Sequence, residues 1–157
     1  MNKEIRAFLS LQAKVSGAFN FFISGMITAL IYHKADVVPT GTVSLAIDLI
    51  LTCLLTFILN ALFCKASLTS SKTTGILDNS NKFIRQLSRL FRCPLLFGML
   101  IGLAIAAVLF VLIAPVFALL GLKSLPFGIY ILVKTIFSTV LGGASALMEL
   151  YIGMCRT

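Results

Sequence analysis

Charged and metal-binding side chains are scarce in this sequence, and their scarcity excludes several classes of protein. Only 11% of the 157 residues are charged, and His33 is the single histidine. Because a metal site of ordinary composition uses more imidazoles, we expect His33 in a solvated loop, with no metal site and no cofactor. The sequence also lacks a nucleophile elbow, a phosphate-binding loop and a zinc-hydrolase helix. We therefore expect that the protein is not an enzyme.

The four cysteines do not have the spacing of a disulfide framework or of a CxxC motif. Cys64, Cys93 and Cys155 are predicted at the cytoplasmic ends of membrane spans, which is a reducing location, and Cys53 is predicted in the middle of a span. Inert packing is the usual role of such thiols. Soft-metal binding and acylation are the alternatives that the sequence leaves open.

Long apolar runs dominate what is present. The chain is 59% hydrophobic and its mean hydropathy is +1.07, more apolar surface than a soluble domain of this length can bury. Since about 20 apolar residues cross a bilayer as a helix, four spans are predicted, at about 15–32, 44–63, 94–120 and 127–152. No cleavage site follows the first span, so we expect it to be retained.

These spans predict an all-α, four-helix transmembrane bundle built from two helical hairpins. Residues 1–64 form the first hairpin, residues 65–93 a cytoplasmic linker, and residues 94–157 the second hairpin. Basic residues cluster in the N-terminal stretch and in the linker, while the other two connections carry few charges. By the positive-inside rule, both termini and the linker are cytoplasmic in a protein of the cell membrane. The net charge of +8 is then a topology signal, and we expect no nucleic-acid partner.

The linker itself divides into two parts. Its first part, 65–80, is rich in Ser, Thr and Lys and is predicted to be a flexible loop. Its second part, about 80–92, has the pattern of an amphipathic helix capped by Asn79 or Ser80. Its basic residues are predicted to lie at the lipid interface beside anionic headgroups: Lys82, Arg85, Arg89 and Arg92. Pro94 then suits the first turn of the third span.

A ridge of small residues runs along the third span at Gly98, Gly102 and Ala106. Such a ridge permits close approach of helix backbones, either within the bundle or between protomers. Because four helices alone enclose little volume, we expect a homo-oligomer, preferably a dimer. Pro115 is predicted to kink the far end of this span.

The two hairpins share a weak internal pattern that predicts a parallel repeat. The pairs Gly25-Met26 and Gly98-Met99 correspond, as do the Pro-x-Gly turns that begin at Pro39 and Pro126. With the segment 20–26, these features resemble a two-copy member of the DUF2798 family of small bacterial membrane proteins. That family has no assigned activity, so the resemblance implies a paired-hairpin membrane protein and no catalytic residues.

Polar residues recur along three of the spans. The second span carries them at a spacing of four residues, which winds slowly along one ridge of a helix. We predict that they line a polar path, together with residues of the first and fourth spans: Asn20, Ser24, Asp48, Thr52, Thr56, Asn60, Lys134 and Ser138. The alternative is that these residues hold helices together, since small polar side chains mediate packing in membranes.

Asp48 and Lys134 lie at matching distances from the two turns, and three interpretations of them remain open. They form an ion pair that fixes the bundle, or a gate or proton-coupled site, or they are independently hydrated near the interface. Glu149, a few residues from the end of the fourth span, is expected to be solvated. The sequence thus predicts a small oligomeric transporter or channel-like protein. A non-catalytic accessory or scaffold subunit that binds another membrane protein is the alternative.

Overall fold

The computed structural model describes residues 3–71, 73–74, 77 and 81–155, which form five helices and two short strands. The elements are α1 (Lys3–Tyr32), β1 (Val37–Pro39), α2 (Thr42–Ser71), α3 (Lys82–Leu90), α4 (Pro94–Leu119), β2 (Ser124–Pro126) and α5 (Phe127–Met154). Helices α1, α2, α4 and α5 are each long and apolar enough to cross a membrane. The predicted all-α bundle of four candidate spans is therefore confirmed.

Two of the helices are longer than predicted. Helix α1 begins at Lys3 and has 30 residues, so at 1.5 Å per residue it extends about 45 Å, past a hydrocarbon core of about 30 Å. Helix α2 continues to Ser71, so the prediction of a flexible loop from Lys65 was wrong for this stretch. Its hydroxyls bond to the preceding helical turn instead of breaking it: Thr69 donates to the Lys65 carbonyl at 2.9 Å and Ser71 to the Ser67 carbonyl at 2.8 Å.

Helix α3 is the predicted basic helix, and it packs across one end of the bundle. Its N-cap is Asn81, whose side chain accepts a bond from the Phe83 N–H at 2.9 Å; the predicted caps Asn79 and Ser80 lie outside the described residues. On its inner face Ser88 donates to the carbonyl of Cys155 at 2.9 Å. The predicted lipid-interface residues are exposed: Lys82, Arg85, Arg89 and, just after the helix, Arg92. Pro94 occupies the first turn of α4, as predicted.

The main helix interfaces join the first two spans to the last two. Helix α1 packs along α5, α2 packs along α4, and α2 and α5 form the central pair, whereas the consecutive helices α1 and α2 make few contacts. The two hairpins are therefore splayed and interlocked, and each helix contacts the other hairpin more than its own partner. The cause is that the small residues that allow close packing face the other hairpin.

Glycines on α4 and α1 show this close approach. A Cβ atom added to Gly98 would lie 2.7 Å from the Ile58 Cα, and one added to Gly102 would lie 3.1 Å from the Cys53 carbonyl oxygen. Ala106 on the same ridge is also buried. On α1, a Cβ at Gly17 would lie 3.1 Å from the Thr139 carbonyl oxygen. The predicted ridge on α4 is thus covered by α2 within the chain, so it does not supply the contact surface of a dimer.

The two connections at the opposite end from α3 pair with each other. Strands β1 and β2 are antiparallel, with Val38 opposite Leu125 at the centre. Helix α4 ends just before them with Gly121 at φ +64°, and the Leu122 N–H bonds to the Phe117 carbonyl at 3.0 Å. This is a glycine-terminated helix end, which turns the chain into β2. We call this end of the bundle the strand end, and the other the α3 end.

Candidate functional site

Polar residues face each other along the central helix pair. Helices α2 and α5 both run from the strand end to the α3 end, so they are parallel, and bonded partners such as Asp48–Lys134 and Asn60–Ser145 are separated by 86 and 85 residues. We call these facing rows the α2–α5 seam. Its members on α2 are Asp48, Thr52, Thr56, Asn60 and Cys64, and on α5 Lys134, Ser138, Gly142, Ser145 and Glu149.

An ion pair closes the strand end of the seam. The Lys134 ammonium donates to the Asp48 carboxylate, and the two side chains are 11% and 25% exposed. The Lys134 Nζ also lies 5.6 Å from the centre of the Tyr130 ring. A lone charge at membrane depth costs about 2.5–3.5 kcal/mol, and pairing with a cation–π contact offsets part of this cost. The two charges are thus paired, as in the first two interpretations, and not independently hydrated.

A groove opens beside the ion pair, between α1 and α2 with α5 as its floor. We call it the ion-pair groove; its volume is about 230 Å³. Its walls are aliphatic side chains of α1 and α2. Its polar residues are Asn20, Ser24, Tyr32, Ser44, Asp48, Thr52, Thr56, Lys134 and Ser138. The groove thus collects seven of the eight residues predicted to line a polar path, and across it Ser138 donates to the Ser24 hydroxyl at 2.9 Å.

The eighth residue, Asn60, lies one turn beyond Thr56 on α2, and its side chain joins α2 to α1 and α5. Its Oδ1 accepts bonds from the Ser16 hydroxyl at 2.5 Å and from the Asn20 Nδ2 at 3.2 Å. Its Nδ2 donates to the Gly142 carbonyl at 2.9 Å and to the Ser145 hydroxyl. We call these five residues the amide junction. The junction spans α1, α2 and α5 at a level where α1 and α2 are otherwise poorly packed against each other.

A second groove lies on the other side of the amide junction, on the same α1–α2 face. We call it the α3-end groove; its volume is about 430 Å³. Ser16 of the junction is part of its lining, together with Gln12, Val15, Phe19, Phe63, Cys64, Ala66, Ser67, Ser70 and Ala146. Phe19 and Phe63 meet edge to face with ring centres 5.1 Å apart. The amide junction thus contributes to both linings, with Asn20 in the ion-pair groove and Ser16 in the α3-end groove.

Glu149 lies at the α3 end of the seam and is fully buried, so the expectation that it is solvated was wrong. Neither carboxylate oxygen has a hydrogen-bond partner among the described residues. The Cys64 thiol faces the carboxyl group and donates weakly to the Ala146 carbonyl at 3.8 Å. An apolar cluster that includes Leu68, Phe91 and Leu150 occupies this end of the bundle.

Sequence analysis missed the roles of Ser16, Tyr130 and Cys64 in these sites. The spacing on α5 places Glu149 on the same ridge as Lys134, Ser138 and Ser145, because these residues follow one another at intervals of four, seven and four. It does not indicate that the carboxyl group is enclosed. The cysteines at positions 53, 64, 93 and 155 form no disulfide. Within the part of the chain that the structure describes, no group of three metal-binding side chains comes together.

Comparisons of this chain with protein-family models, with curated proteins and with solved structures find no match.

Proposed function

We propose that this protein is a small transporter or channel-like protein whose path runs through the two grooves between α1 and α2. The observation that carries the proposal is that the two grooves lie on either side of the amide junction, which contributes Asn20 to the lining of one and Ser16 to the lining of the other. A solute enters the ion-pair groove from the strand end, contacts Asp48 or Lys134, and reaches the α3-end groove when the junction opens.

The packing of the helices supports a rocking motion for this opening. Close glycine contacts join α1 to α5 and α4 to α2, so each of these pairs is a rigid half. The halves meet along the polar α2–α5 seam, where each interhelical hydrogen bond contributes only about 0.6 kcal/mol in a membrane. Opening the junction by breaking four such bonds costs about 2 kcal/mol, which is compatible with rapid exchange between two states.

The two halves also favour the predicted parallel repeat. A two-fold axis along the membrane normal would exchange α1 with α4 and α2 with α5, and the register of β1 with β2 about Val38 and Leu125 fits this symmetry. Under this symmetry the two Pro-x-Gly turns correspond to each other, whereas the two Gly-Met pairs do not. Gly25 lies against Thr135 near the strand end, while Gly98 lies against Ile58, which is farther from the strand end. We propose a repeat of this kind; membership of DUF2798 stays a prediction.

The orientation and assembly belong to the same proposal. The basic end of α1 and the exposed basic face of α3 lie at one end of the bundle, which favours a cytoplasmic α3 end with both termini in the cytoplasm of a cell-membrane protein. The gap between α1 and α2 faces the bilayer, so a homo-oligomer that covers it would separate the path from lipid. We propose a homodimer on this ground.

The test is flux through purified protein in liposomes. Vesicles are loaded with a defined mixture of inorganic ions and small zwitterionic, anionic and cationic metabolites, and efflux is followed by mass spectrometry and ion-selective dyes. We expect efflux of at least one component, and an altered rate in Asp48→Asn, which keeps the size of the side chain. Ser10→Ala, an exposed change on α1, is the control. Unchanged flux in a folded Asp48→Asn protein would contradict the proposal.

A second candidate function is that of an accessory or scaffold subunit. The observation that favours it is that the amide groups of Asn20 and Asn60 are bonded to one another and to their neighbours, as packing residues are. Native mass spectrometry after mild extraction distinguishes the two candidates. A bare homo-oligomer supports transport, and a fixed complex with a different membrane protein supports the subunit function.

A further inference from the structure

Glu149 is a buried polar side chain that has no part in the proposed path. It is 0% exposed, and both oxygens of its carboxyl group lack hydrogen-bond partners among the described residues. Burying an ionised carboxylate without a counter-charge is strongly unfavourable, and burying even a neutral polar group without a bond costs about 1–3 kcal/mol. A carboxyl group kept in this setting needs an exchangeable partner that the described residues do not supply.

The surroundings of Glu149 identify that partner. The Cys64 thiol, from α2, is the titratable group that interacts with it. At this end α1 contributes apolar residues such as Leu9 to the core, while its Arg6 is exposed, and the Arg89 side chain of α3 is exposed as well. A metal ion needs several ligands, and no group of three metal-binding side chains is present in the described residues. Since no cationic side chain of the described residues bonds to this carboxyl group, the partner that neutralises it without further ligands is a proton.

The α3-end groove is the groove whose lining comes nearest to Glu149. Cys64 and Ala146 line the α3-end groove, and Glu149 lies one turn after Ala146 on α5, behind the Cys64 thiol. Toward the strand end, the amide junction lies between Glu149 and the ion-pair groove. A proton can therefore reach the carboxyl group from the α3 end past Cys64, while the solute contacts the ion pair from the strand end.

We propose that Glu149 binds and releases a proton through the α3-end groove and is the proton-coupling residue of this protein. Binding is a simple association: the proton adds to one carboxylate oxygen and leaves from it, with no covalent bond broken elsewhere. The coupling part of this inference rests on the proposed transport function, whereas proton binding itself does not. The solute would then contact the seam at Asp48 and Lys134, and the proton would bind to it at Glu149.

The chain offers a direct test because Glu4 and Glu149 are its only glutamates. In a Glu4→Gln protein made by cell-free synthesis with δ-carboxyl-¹³C glutamate and unlabelled glutamine, Glu149 gives the single labelled side-chain signal without being mutated itself. Glu4 is exposed, so this background is expected to fold. We expect the ¹³C signal, recorded in lipid, to titrate between two positions over the pH range in which the protein stays folded. A signal that stays in one protonation state throughout would overturn the proposal.

Flux measurements then separate this inference from the proposed function. We expect flux through the Glu4→Gln protein to depend on the pH at the α3 end, and Glu149→Gln to lose that dependence. Flux whose pH dependence survives in Glu149→Gln would overturn the coupling role while leaving transport intact. A Glu149 signal that titrates in a protein without any flux would support the proton site and contradict the transport function.

Discussion

At the strand end of the α2–α5 seam, Asp48 and Lys134 neutralise each other beside an open groove. At the α3 end Glu149 is enclosed, and neither of its oxygens is bonded to any residue that the structure describes. The two ends belong to the same pair of parallel helices and the same residue spacing. The difference lies in what faces each charge, a partner in one case and an apolar cluster in the other. A polar row along a membrane helix therefore has no single role, and the role of each residue is decided by its neighbours.

Removing one charge of the Asp48–Lys134 ion pair is expected to lower the free energy of unfolding more than any other substitution considered below. Lys134→Met leaves Asp48 as an unpaired charge, so we expect a loss of about 3–5 kcal/mol in the free energy of unfolding. The double variant Asp48→Asn/Lys134→Met is expected to recover part of that loss. Unfolding in mixed micelles or by steric trapping measures it, with the exposed Lys123→Met as control. Purely additive losses in the double variant would contradict the pairing.

Breaking the amide junction removes the barrier between the two ends and is expected to have the next largest effect. Asn60→Leu loses four hydrogen bonds, or about 2 kcal/mol at about 0.6 kcal/mol each. We also expect faster leak through the two grooves in liposomes. The matched amide control is Gln12→Leu, which lines the α3-end groove outside the junction. A stable Asn60→Leu protein with no added leak would argue against the junction as a barrier.

Removing the carboxyl group of Glu149 is expected to raise the free energy of unfolding, whereas the two preceding substitutions lower it. Glu149→Met replaces an unbonded polar group with a flexible apolar side chain of similar length, so we expect a gain of about 1–2 kcal/mol. The exposed Glu4→Met is expected to change nothing. Destabilisation by more than 1 kcal/mol in Glu149→Met would mean that the carboxyl group has partners that stabilise the fold.

The smallest expected effect comes from the single hydroxyl bond of the ion-pair groove. Ser138→Ala removes the bond to Ser24 and is expected to cost about 0.6 kcal/mol. Ser24→Ala should cost the same, and the double variant no more than either one. A cost several times larger for Ser138→Ala alone would indicate that this hydroxyl has a second role.

Much of the architecture follows from the sequence because the bilayer imposes it. The number of spans follows from the apolar runs, and the burial of Gly98, Gly102 and Ala106 follows from their spacing on one ridge of α4. Asp48, Asn20 and Asn60 stand out in apolar segments, so membership of the polar site could also be predicted.

Helix pairing and the burial of Glu149 could not be predicted, for two physical reasons. Apolar periodicity shows which side of a helix packs but not against which helix, and here α1 packs on α5 instead of on α2. The distance of Glu149 from the end of α5 suggested water, but α3 packs at this end, as the Ser88–Cys155 bond shows. Both are long-range contacts, which local sequence patterns do not encode.

The central claim is that two grooves on one face are separated by the amide junction. It is tested most directly by sided labelling of single cysteines in a background with all four native cysteines replaced. We expect a membrane-impermeant thiol reagent to label Ser24→Cys from the strand end only and Ser67→Cys from the α3 end only. Adding Asn60→Ala should expose both positions to both sides. Labelling of the two positions from the same side, with the junction intact, would contradict the claim.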